Sequence, residues 1–333
     1  MSRHSDYEKR LQDLAQRRLI VLGDRYCMAA TQDITRSTAT HLQHLISQVS
    51  ANMRTMEVTE YFVPILELGS GSYGNVLLAK HRHSGQMAAV KRMAKEKTPM
   101  DDFLMEFGIS LSLSCHPHII TTYELAFQTS MDYVFVQEVA PAGTLLSIVK
   151  PNVGLEEELL KRCILQICTA LDFMHSRGLV HRDIKLDNIL LMDFSCHRVK
   201  LSDFGLTRLQ GTYVPPMASI IPYMAPELCS LDQGEHLLLN SSLDVWAFGV
   251  LIYSALLGSV PWKEAVYEDD QYIDFAWWQI LNDITTAPGG WKKISLAARY
   301  MFWDILAINS SERCSAMDIV KYIHLPWKGG TFG

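Results

Sequence analysis

The feature that most restricts how this chain can fold is the segment from Leu179 to Leu191, which reads LVHRDIKLDNILL. Two short apolar runs, expected to be strands, enclose a polar loop, so Asp183, Lys185 and Asn188 are predicted to face one cavity. A carboxylate there can accept or orient a hydroxyl proton, an amide oxygen can ligate Mg²⁺, and an amine can neutralise a moving phosphoryl group. The loop therefore indicates a site for phosphoryl transfer.

A second acidic motif follows this loop. The apolar residues 199–201 precede Ser202-Asp203-Phe204-Gly205, which places a carboxylate at the end of a predicted strand and before a flexible glycine. This arrangement suits a ligand of Mg²⁺. The three letters Asp-Phe-Gly alone would be a weak signal. In this order and at this spacing they predict that Asp203 and Asn188 hold the metal together.

A glycine-rich segment, Gly69-Ser70-Gly71-Ser72-Tyr73-Gly74-Asn75-Val76, matches the pattern GxGxxGxV. Without side chains, the backbone N–H groups of such a loop can approach phosphate oxygens closely. A dinucleotide-binding fold would need a helix after the last glycine, but residues 75–80 alternate like a strand. The segment by itself fits a loop that covers ATP phosphates and a plain hairpin turn about equally well.

One lysine and one glutamate occur among apolar neighbours. Lys91 follows the run 88–90 and is predicted to end a buried strand, where a cation is costly unless an anion receives it. Glu106 lies among apolar residues of a helix predicted over Met100 to Ser114, which makes it the natural partner. In the alternative interpretation, Lys91 extends to solvent and Glu106 faces water.

The pattern along the chain predicts an α+β protein with two lobes. Residues 61–137 contain short apolar or β-branched runs with one helix among them, and the chain after Gly143 is mainly helical. The predicted units are an N-terminal helical extension (1–58), a small β-rich lobe (59–138) and a larger helical lobe (139–328). The clearest helices of the larger lobe are Glu156–Ser176, Ser241–Leu257, Ile273–Ile284 and Leu296–Ile308. Apolar residues at helical spacing predict that the extension packs on the domain surface, with a helix that docks a partner as the alternative; they are Leu42, Leu45, Ile46, Val49, Met53 and Met56.

Composition excludes several classes of function. The net charge of -6 gives no general attraction to nucleic acids or anionic membranes, so neither is expected as a partner. The uncharged run Val245–Val260 is shorter than the ~20 residues that cross a bilayer, which favours a buried helix. No secretory signal is visible, and Ser2 is incompatible with N-myristoylation. Seven scattered cysteines without a CxxC pair are typical of reduced thiols, which predicts a cytoplasmic protein.

In this order, the motifs resemble those of the eukaryotic protein kinase family from about Tyr61 to Trp327. The family also has counterparts of Tyr223-Met-Ala-Pro-Glu227, of Asp244-Val-Trp246 and of Arg313, and Glu227 and Arg313 are expected to form a structural ion pair. The resemblance implies a two-lobed kinase fold, ATP and Mg²⁺ as cofactors, and protein substrates. It implies that Asp183 is the catalytic base, assisted by Lys185, and that Lys91 pairs with Glu106. The nucleotide-binding residues that it implies are Gly69, Ser70, Gly71, Gly74, Val76, Ala89, Lys91, Gln137, Glu138, Ala140, Asn188 and Asp203, the last two also as metal ligands.

The chain most resembles the SH3-binding-domain kinase group. The resemblance rests on residues 133–143, 170–175, 198–205 and 221–229. It implies serine/threonine specificity, which Lys185 also favours. Two features depart from the pattern: Ile220 stands where the family has a threonine, and no two prolines have the PxxP spacing that SH3 domains bind. SH3 binding is therefore not predicted, and the sequence leaves the oligomeric state open.

The sequence also bears on two other functions and on one form of regulation. A pseudokinase scaffold is disfavoured because all the charged catalytic positions are filled, although Ile220 favours it. A small-molecule kinase is disfavoured by the Ala225-Pro226-Glu227 element. Phosphorylation could order the segment 203–227 through Arg182, or its apolar residues could order it without modification. The candidate acceptors are Thr207, Thr212, Tyr213 and Ser219.

Overall fold

The computed structural model describes residues 24–71, 74–217 and 221–329, with side chains from residue 32 onward. Ser72, Tyr73, Ser219 and Ile220, which the sequence analysis names, lie outside the described residues, as do residues 1–23.

The described helices and strands follow the predicted order. The helices are α1 (Asp24–Asn52), α2 (Val58–Tyr61), α3 (Met100–Leu113), α4 (Glu157–His175), α5 (Pro226–Cys229), α6 (Ser242–Leu257), α7 (Asp270–Leu281) and α8 (Leu296–Ile305). The strands are β1 (Arg54–Thr55), β2 (Phe62–Ser70), β3 (Gly74–His81), β4 (Met87–Ala94), β5 (Thr122–Gln128), β6 (Asp132–Gln137), β7 (Leu179–Val180), β8 (Ile189–Leu191), β9 (Val199–Leu201), β10 (Arg208–Leu209), β11 (Tyr213–Val214) and β12 (Leu237–Leu238).

The smaller lobe is a twisted sheet with one helix packed on it. Its strands run in the order β1-β5-β6-β4-β3-β2, antiparallel except where β1 pairs with β5. Apolar side chains on one face of this sheet pack against α3, where Phe103 and Phe107 contact Phe135 of β6. This packing brings α3 to the edge of the cleft between the two lobes.

The larger lobe is built around α4 and α6, as the apolar patterns predict. Nearly every residue of α6 is buried, so this helix forms the centre of the core instead of an amphipathic surface element. It ends at Gly258, which adopts φ +73° and has the polypeptide backbone of Lys150 and Asn152 close beside it. Among the described residues, no helix combines the length and the apolar character needed to span a membrane.

The α+β, two-lobed prediction is confirmed, and the predicted helices begin and end within a few residues of the observed ones. Helix α7 begins at Asp270, earlier than predicted, because the Asp269 carboxylate accepts hydrogen bonds from the Gln271 and Tyr272 N–H groups. It ends at Leu281, because Asn282 adopts the left-handed conformation. The prediction that Lys91 ends its strand is wrong: β4 continues to Ala94, because the residues from Arg92 to Ala94 also pair with β6.

The expected ion pair between Glu227 and Arg313 is present and lies deep in the larger lobe. Nη1 and Nη2 of Arg313 donate to the two carboxylate oxygens of Glu227 at 2.5 and 2.6 Å. The remaining donors of the guanidinium bond to the carbonyl oxygens of Ala307, Ser242 and Ile308. The Arg313 side chain is fully buried, so its positive charge needs the Glu227 carboxylate as a counter-ion.

We expect Glu227→Gln to lower the free energy of unfolding by about 3 kcal/mol, because it leaves a buried guanidinium without its counter-charge. The value lies at the low end of the range for buried ion pairs because the Glu227 side chain is 23% exposed. Urea unfolding measures the change, with the exposed Glu264→Gln as control. Equal stability of the two variants would contradict a structural role for the pair.

Candidate active site

The polar loop between β7 and β8 brings its predicted residues together. The Lys185 amine donates to both carboxylate oxygens of Asp183, at 2.9 and 2.8 Å. The Asn188 amide nitrogen donates to the Asp183 carbonyl and carboxylate oxygens, both at 2.8 Å. Because that nitrogen is used on Asp183, the Asn188 amide oxygen is the atom left to ligate a metal. The three side chains therefore form one connected group, and their catalytic roles stay predictions.

A buried carboxylate that the sequence analysis did not assign holds this loop in place. Asp244, in the first turn of α6, accepts hydrogen bonds at 2.8 Å from the backbone N–H groups of His181 and Arg182. The His175 ring lies 2.9 Å from the same carboxylate. The pKa of Asp244 is lowered although burial alone would raise it, because these donors stabilise the anion. The available signal was a carboxylate at the start of an uncharged apolar run.

The acidic motif after β9 lies directly beside the loop. Both the backbone N–H and the hydroxyl of Ser202 donate to the Asn188 carbonyl oxygen, at 2.9 and 3.0 Å. The next residue, Asp203, has φ +66°, a conformation that is uncommon for residues other than glycine and turns its carboxylate toward the cleft. The Asp203 side chain is 45% exposed. The two loops thus supply an amide and an accessible carboxylate to one site.

Lys91 joins the smaller lobe to this site. Its amine donates to the Glu106 carboxylate at 2.5 Å and to the Asp203 carboxylate at 2.9 Å. The structure thus contains the predicted Lys91–Glu106 pair, and the alternative in which both face water is wrong. Glu106 is only 4% exposed, so the pair lies inside the cleft wall between β4 and α3.

Charge and burial set the pKa values of these groups in opposite directions. Burial alone would lower the pKa of Lys91, but the carboxylates of Glu106 and Asp203 raise it well above its usual value. Burial raises the pKa of Glu106, and Lys91 offsets part of that increase. The charge of Lys91 lowers the pKa of Asp203. Asp203 is therefore an ionised, partly exposed carboxylate at neutral pH, which is the state that a Mg²⁺ ligand requires.

The described residues of the glycine-rich segment end β2 and begin β3. Gly74 is required by packing, because a Cβ there would lie 1.8 Å from the Arg92 carbonyl oxygen. Among the described residues, a Cβ on Gly69 or Gly71 would meet no atom within 4 Å, so there is open space beside both positions. Val76 pairs with Lys91 across β3 and β4, which places the segment above the amine. This placement favours the phosphate-covering interpretation over a plain hairpin.

The connection between the lobes contains the residues predicted to contact the adenine base. The Gln137 amide donates to the hydroxyls of Ser110 and Thr122, at 3.1 and 3.0 Å, and so closes the back of the cleft. The backbone N–H of Glu138 donates to the Thr121 carbonyl oxygen, so its own carbonyl oxygen is the group left for a base. Ala89, on β4, is buried beside this connection, where it is paired with Gln137.

A second ion pair that the sequence analysis missed ties this connection to the strand before Asp203. The Lys200 amine donates to the Glu138 carboxylate at 2.5 Å and to the Ile119 carbonyl oxygen at 3.2 Å. The hydrogen bond from Lys200 lowers the pKa of Glu138 although burial alone would raise it. The available signal was a single lysine inside the apolar run 199–201.

The segment after Asp203 bears on the hypothesis of phosphorylation. Thr207 is fully buried, and its hydroxyl donates to the His181 carbonyl oxygen, so it is not an accessible acceptor. Thr212 and Tyr213 are exposed. One Arg182 nitrogen donates to the Leu206 carbonyl oxygen, and another lies 3.8 Å from the Met217 sulfur. The segment thus has contacts with Arg182 that require no phosphate.

His181 connects the loop that contains Asp183 to the motif at Asp203, and its hydrogen bonds require one tautomer of the ring. Its Nε2–H donates to the Ser202 carbonyl oxygen at 3.1 Å, and its Nδ1 accepts from the backbone N–H of Asp183 at 3.2 Å. Burial lowers the pKa of His181 from its ordinary 6.5. The neutral ring is the form that the geometry requires, because a proton on Nδ1 would break the bond to Asp183.

We expect the free energy of unfolding to fall as the pH is lowered from about 7.5 to about 5.5. In this range His181 binds a proton in the unfolded chain but stays neutral in the folded protein, which favours the unfolded state. The contribution of neutral His181 to stability is fully present above the pKa that this histidine has in the unfolded chain, and it is lost as the pH falls below that value. His181→Phe should lose less stability over this range, although the lowered pKa of His116 leaves part of the dependence. Urea unfolding at both pH values tests this, with the exposed His236→Gln as control. The same pH dependence in His181→Phe and the parent would contradict it.

Comparison with known proteins agrees with this geometry. The family profile described as "Protein kinase domain" matches residues 62–325. The "Serine/threonine-protein kinase SBK1" of Danio rerio is 40% identical over 307 residues, which cover 92% of this chain and 79% of that protein. The mouse protein of the same name is 42% identical over 267 residues, covering 80% of this chain and 64% of that protein. The human "Serine/threonine-protein kinase SBK2" is 35% identical over 297 residues, covering 88% and 85%.

Proposed function

The chain belongs to the protein kinase family and is a protein serine/threonine kinase, and from this premise we propose that it transfers the γ-phosphate of ATP, bound with Mg²⁺, to hydroxyl groups of other proteins. One observation carries the proposal: the Lys91 amine bonds both to Glu106 of α3 and to Asp203 of the larger lobe. This arrangement aligns a phosphate-binding cation with a metal-binding carboxylate in one cleft.

On the acceptor side, Asp183 receives or orients the proton of the incoming serine or threonine hydroxyl. Lys185 lies within hydrogen-bond distance of the Asp183 carboxylate and is placed to neutralise charge on the transferred group. Asp244 fixes the backbone just before Asp183, so the base is held in position before substrate binds.

On the nucleotide side, Lys91 binds phosphate oxygens and Glu106 keeps the amine in place. The open space above Gly69 and Gly71 accommodates the phosphates, and the backbone of Glu138 and Ala140 binds the base. The amide oxygen of Asn188 and the carboxylate of Asp203 would hold Mg²⁺, which supplies charge neutralisation at the phosphate oxygens. Positioning and electrostatics thus provide most of the rate enhancement.

The test is phosphate transfer by the full chain from radiolabelled ATP to a library of serine-, threonine- and tyrosine-containing peptides. We expect incorporation at serine or threonine that requires Mg²⁺ and is abolished by EDTA. Asp183→Asn should abolish transfer without unfolding the protein. Asp187→Asn, which changes an exposed carboxylate in the same loop, serves as the matched control and should remain active.

Two results would overturn the proposed phosphate transfer, and a third would overturn its dependence on Mg²⁺. One is a folded parent protein that transfers no phosphate to any peptide, which would favour a pseudokinase scaffold. The other is equal transfer by Asp183→Asn and Asp187→Asn, which would remove Asp183 from the reaction. Transfer that persists in EDTA would contradict the proposed need for Mg²⁺.

A further inference from the structure

Helix α1 precedes the segment matched by the kinase profile and contacts both lobes of the fold. Its apolar residues divide between two cores. Leu42 is 2% exposed and belongs to the large cluster that contains residues of α4 and β7 together with Ile109 and Leu113 of α3. Ile46 and Val49 of the helix, and Met53 just after it, pack against the cluster around Phe103 in the smaller lobe. One helix therefore contacts both lobes beside the cleft.

The contact between α1 and α3 is close and specific. At Gly108 of α3, an added Cβ would lie 3.2 Å from Ile46 Cγ1 and 4.0 Å from Leu42 Cδ2. Gly108 follows Glu106 by two positions, which is about 200° around a helix. The α1 helix therefore lies against the face of α3 opposite to the one that presents Glu106 to Lys91. In this position it obstructs an outward movement of α3.

The turn of α1 that precedes Leu42 is attached to the larger lobe. The Thr38 hydroxyl donates to the Arg177 carbonyl oxygen at 2.8 Å. A Cβ on the next residue, Gly178, would lie 2.4 Å from Thr35 Oγ1, so the helix approaches this turn more closely than a side chain would permit. This turn leads directly into β7 and the loop that contains Asp183. Helix α1 is thus anchored beside the catalytic loop while it supports α3.

We propose that helix α1 is a positioning element for phosphate transfer: through Ile46 and Leu42 it holds α3 so that Glu106 stays bonded to Lys91. The inference rests on the proposed function, because it deepens the role of the Lys91–Glu106 pair. Neither Ile46 nor Leu42 touches substrate, and both act through Glu106. The consequence is that this kinase domain carries, in its own chain, the support that fixes α3.

Two substitutions test the contact in opposite ways. Ile46→Ala removes the side chain that supports α3, whereas Gly108→Ala crowds Ile46, whose Cγ1 would lie 3.2 Å from the new Cβ, and at the same time favours the helical state of α3. We expect each to lower kcat by roughly ten- to a hundredfold, the scale of effect that small displacements of reacting groups produce. The KM for peptide should stay within about twofold, since neither residue touches the acceptor. Ser47→Ala, an exposed position on the same helix, is the matched control.

The same substitutions in a Glu106→Gln background separate positioning from a general structural effect. If α1 acts through Glu106, Ile46→Ala should lower kcat no further once Glu106 is replaced. Effects of Ile46→Ala and Glu106→Gln that multiply would overturn the proposal. So would unchanged kcat in both Ile46→Ala and Gly108→Ala.

Hydrogen exchange of residues 100–113 gives a readout that does not depend on activity. We expect faster exchange in this segment for Ile46→Ala than for Ser47→Ala and the parent. A parent protein that transfers no phosphate would refute the proposed function, and this measurement would still test the support of α3. Equal exchange in Ile46→Ala and Ser47→Ala would overturn the inference.

Discussion

Replacing Asp203 by asparagine is expected to lower kcat on the order of 10³-fold, because the change removes the negative charge that would bind the metal while keeping the shape of the side chain. The ionised state of Asp203 is set by Lys91, whose charge lowers the pKa of this carboxylate. An amide offers an oxygen but no charge, so the phosphate oxygens and the metal would lose their counter-ion. Steady-state kinetics with varied Mg²⁺ should show a raised metal requirement as well as the lower kcat.

The stability of Asp203→Asn should change little. Because the carboxylate is 45% exposed, we expect the lost bond to Lys91 to cost no more than ~1 kcal/mol. Urea unfolding therefore separates loss of catalysis from loss of fold, and Asp187→Asn controls for removal of an acidic charge nearby. Activity of Asp203→Asn within tenfold of the parent would contradict the metal-binding role.

Replacing Lys91 by methionine is expected to lower kcat/KM for ATP by roughly 10²- to 10³-fold, because it removes the amine proposed to bind the phosphates. This substitution also affects the fold. It leaves Glu106 buried without a cation, which we expect to destabilise the protein by about 3 kcal/mol. The pKa of Glu106, already raised by burial, would rise further, and the carboxylate would take up a proton.

The double variant Lys91→Met/Glu106→Gln distinguishes these two effects. Removing both charges should recover most of the lost stability, because the uncompensated buried charge is gone. It should recover no activity, because the amine is still missing. Stability comes from urea unfolding and activity from initial rates at saturating peptide. Recovery of activity in the double variant would show that Lys91 acts only by balancing the charge of Glu106.

The residues proposed to carry the chemistry have signals that are local in the sequence. The loop from Asp183 to Asn188 and the motif at Asp203 each lie at the end of a short apolar strand, a pattern visible within a few residues. Gly74 was predicted as a phosphate-loop glycine, but its requirement comes from the Arg92 carbonyl on the neighbouring strand. A contact between strands cannot be read from the spacing of glycines alone.

The missed residues have partners far away in the chain. Asp244 accepts from the backbone of residues 181 and 182, and Lys200 pairs with Glu138. Each was visible as a charge among apolar residues, which indicates that a partner must exist but does not identify it. Helix α1 lies within the extension that the sequence predicts to be helical, and its contact with both lobes followed only from the coordinates.

The sequence by itself determined the fold class, the order of the strands and helices, and the chemical groups available for phosphate transfer, because periodicity and turn residues act over short stretches of chain. Only the tertiary structure decided which of those groups meet. Three contacts depend on how distant segments pack: the bond of Lys91 to Asp203, the hydrogen bonds that Asp244 accepts from the loop before Asp183, and the contact between Ile46 and Gly108. Packing of this kind is set by the shape and volume of the whole core, which no local pattern contains.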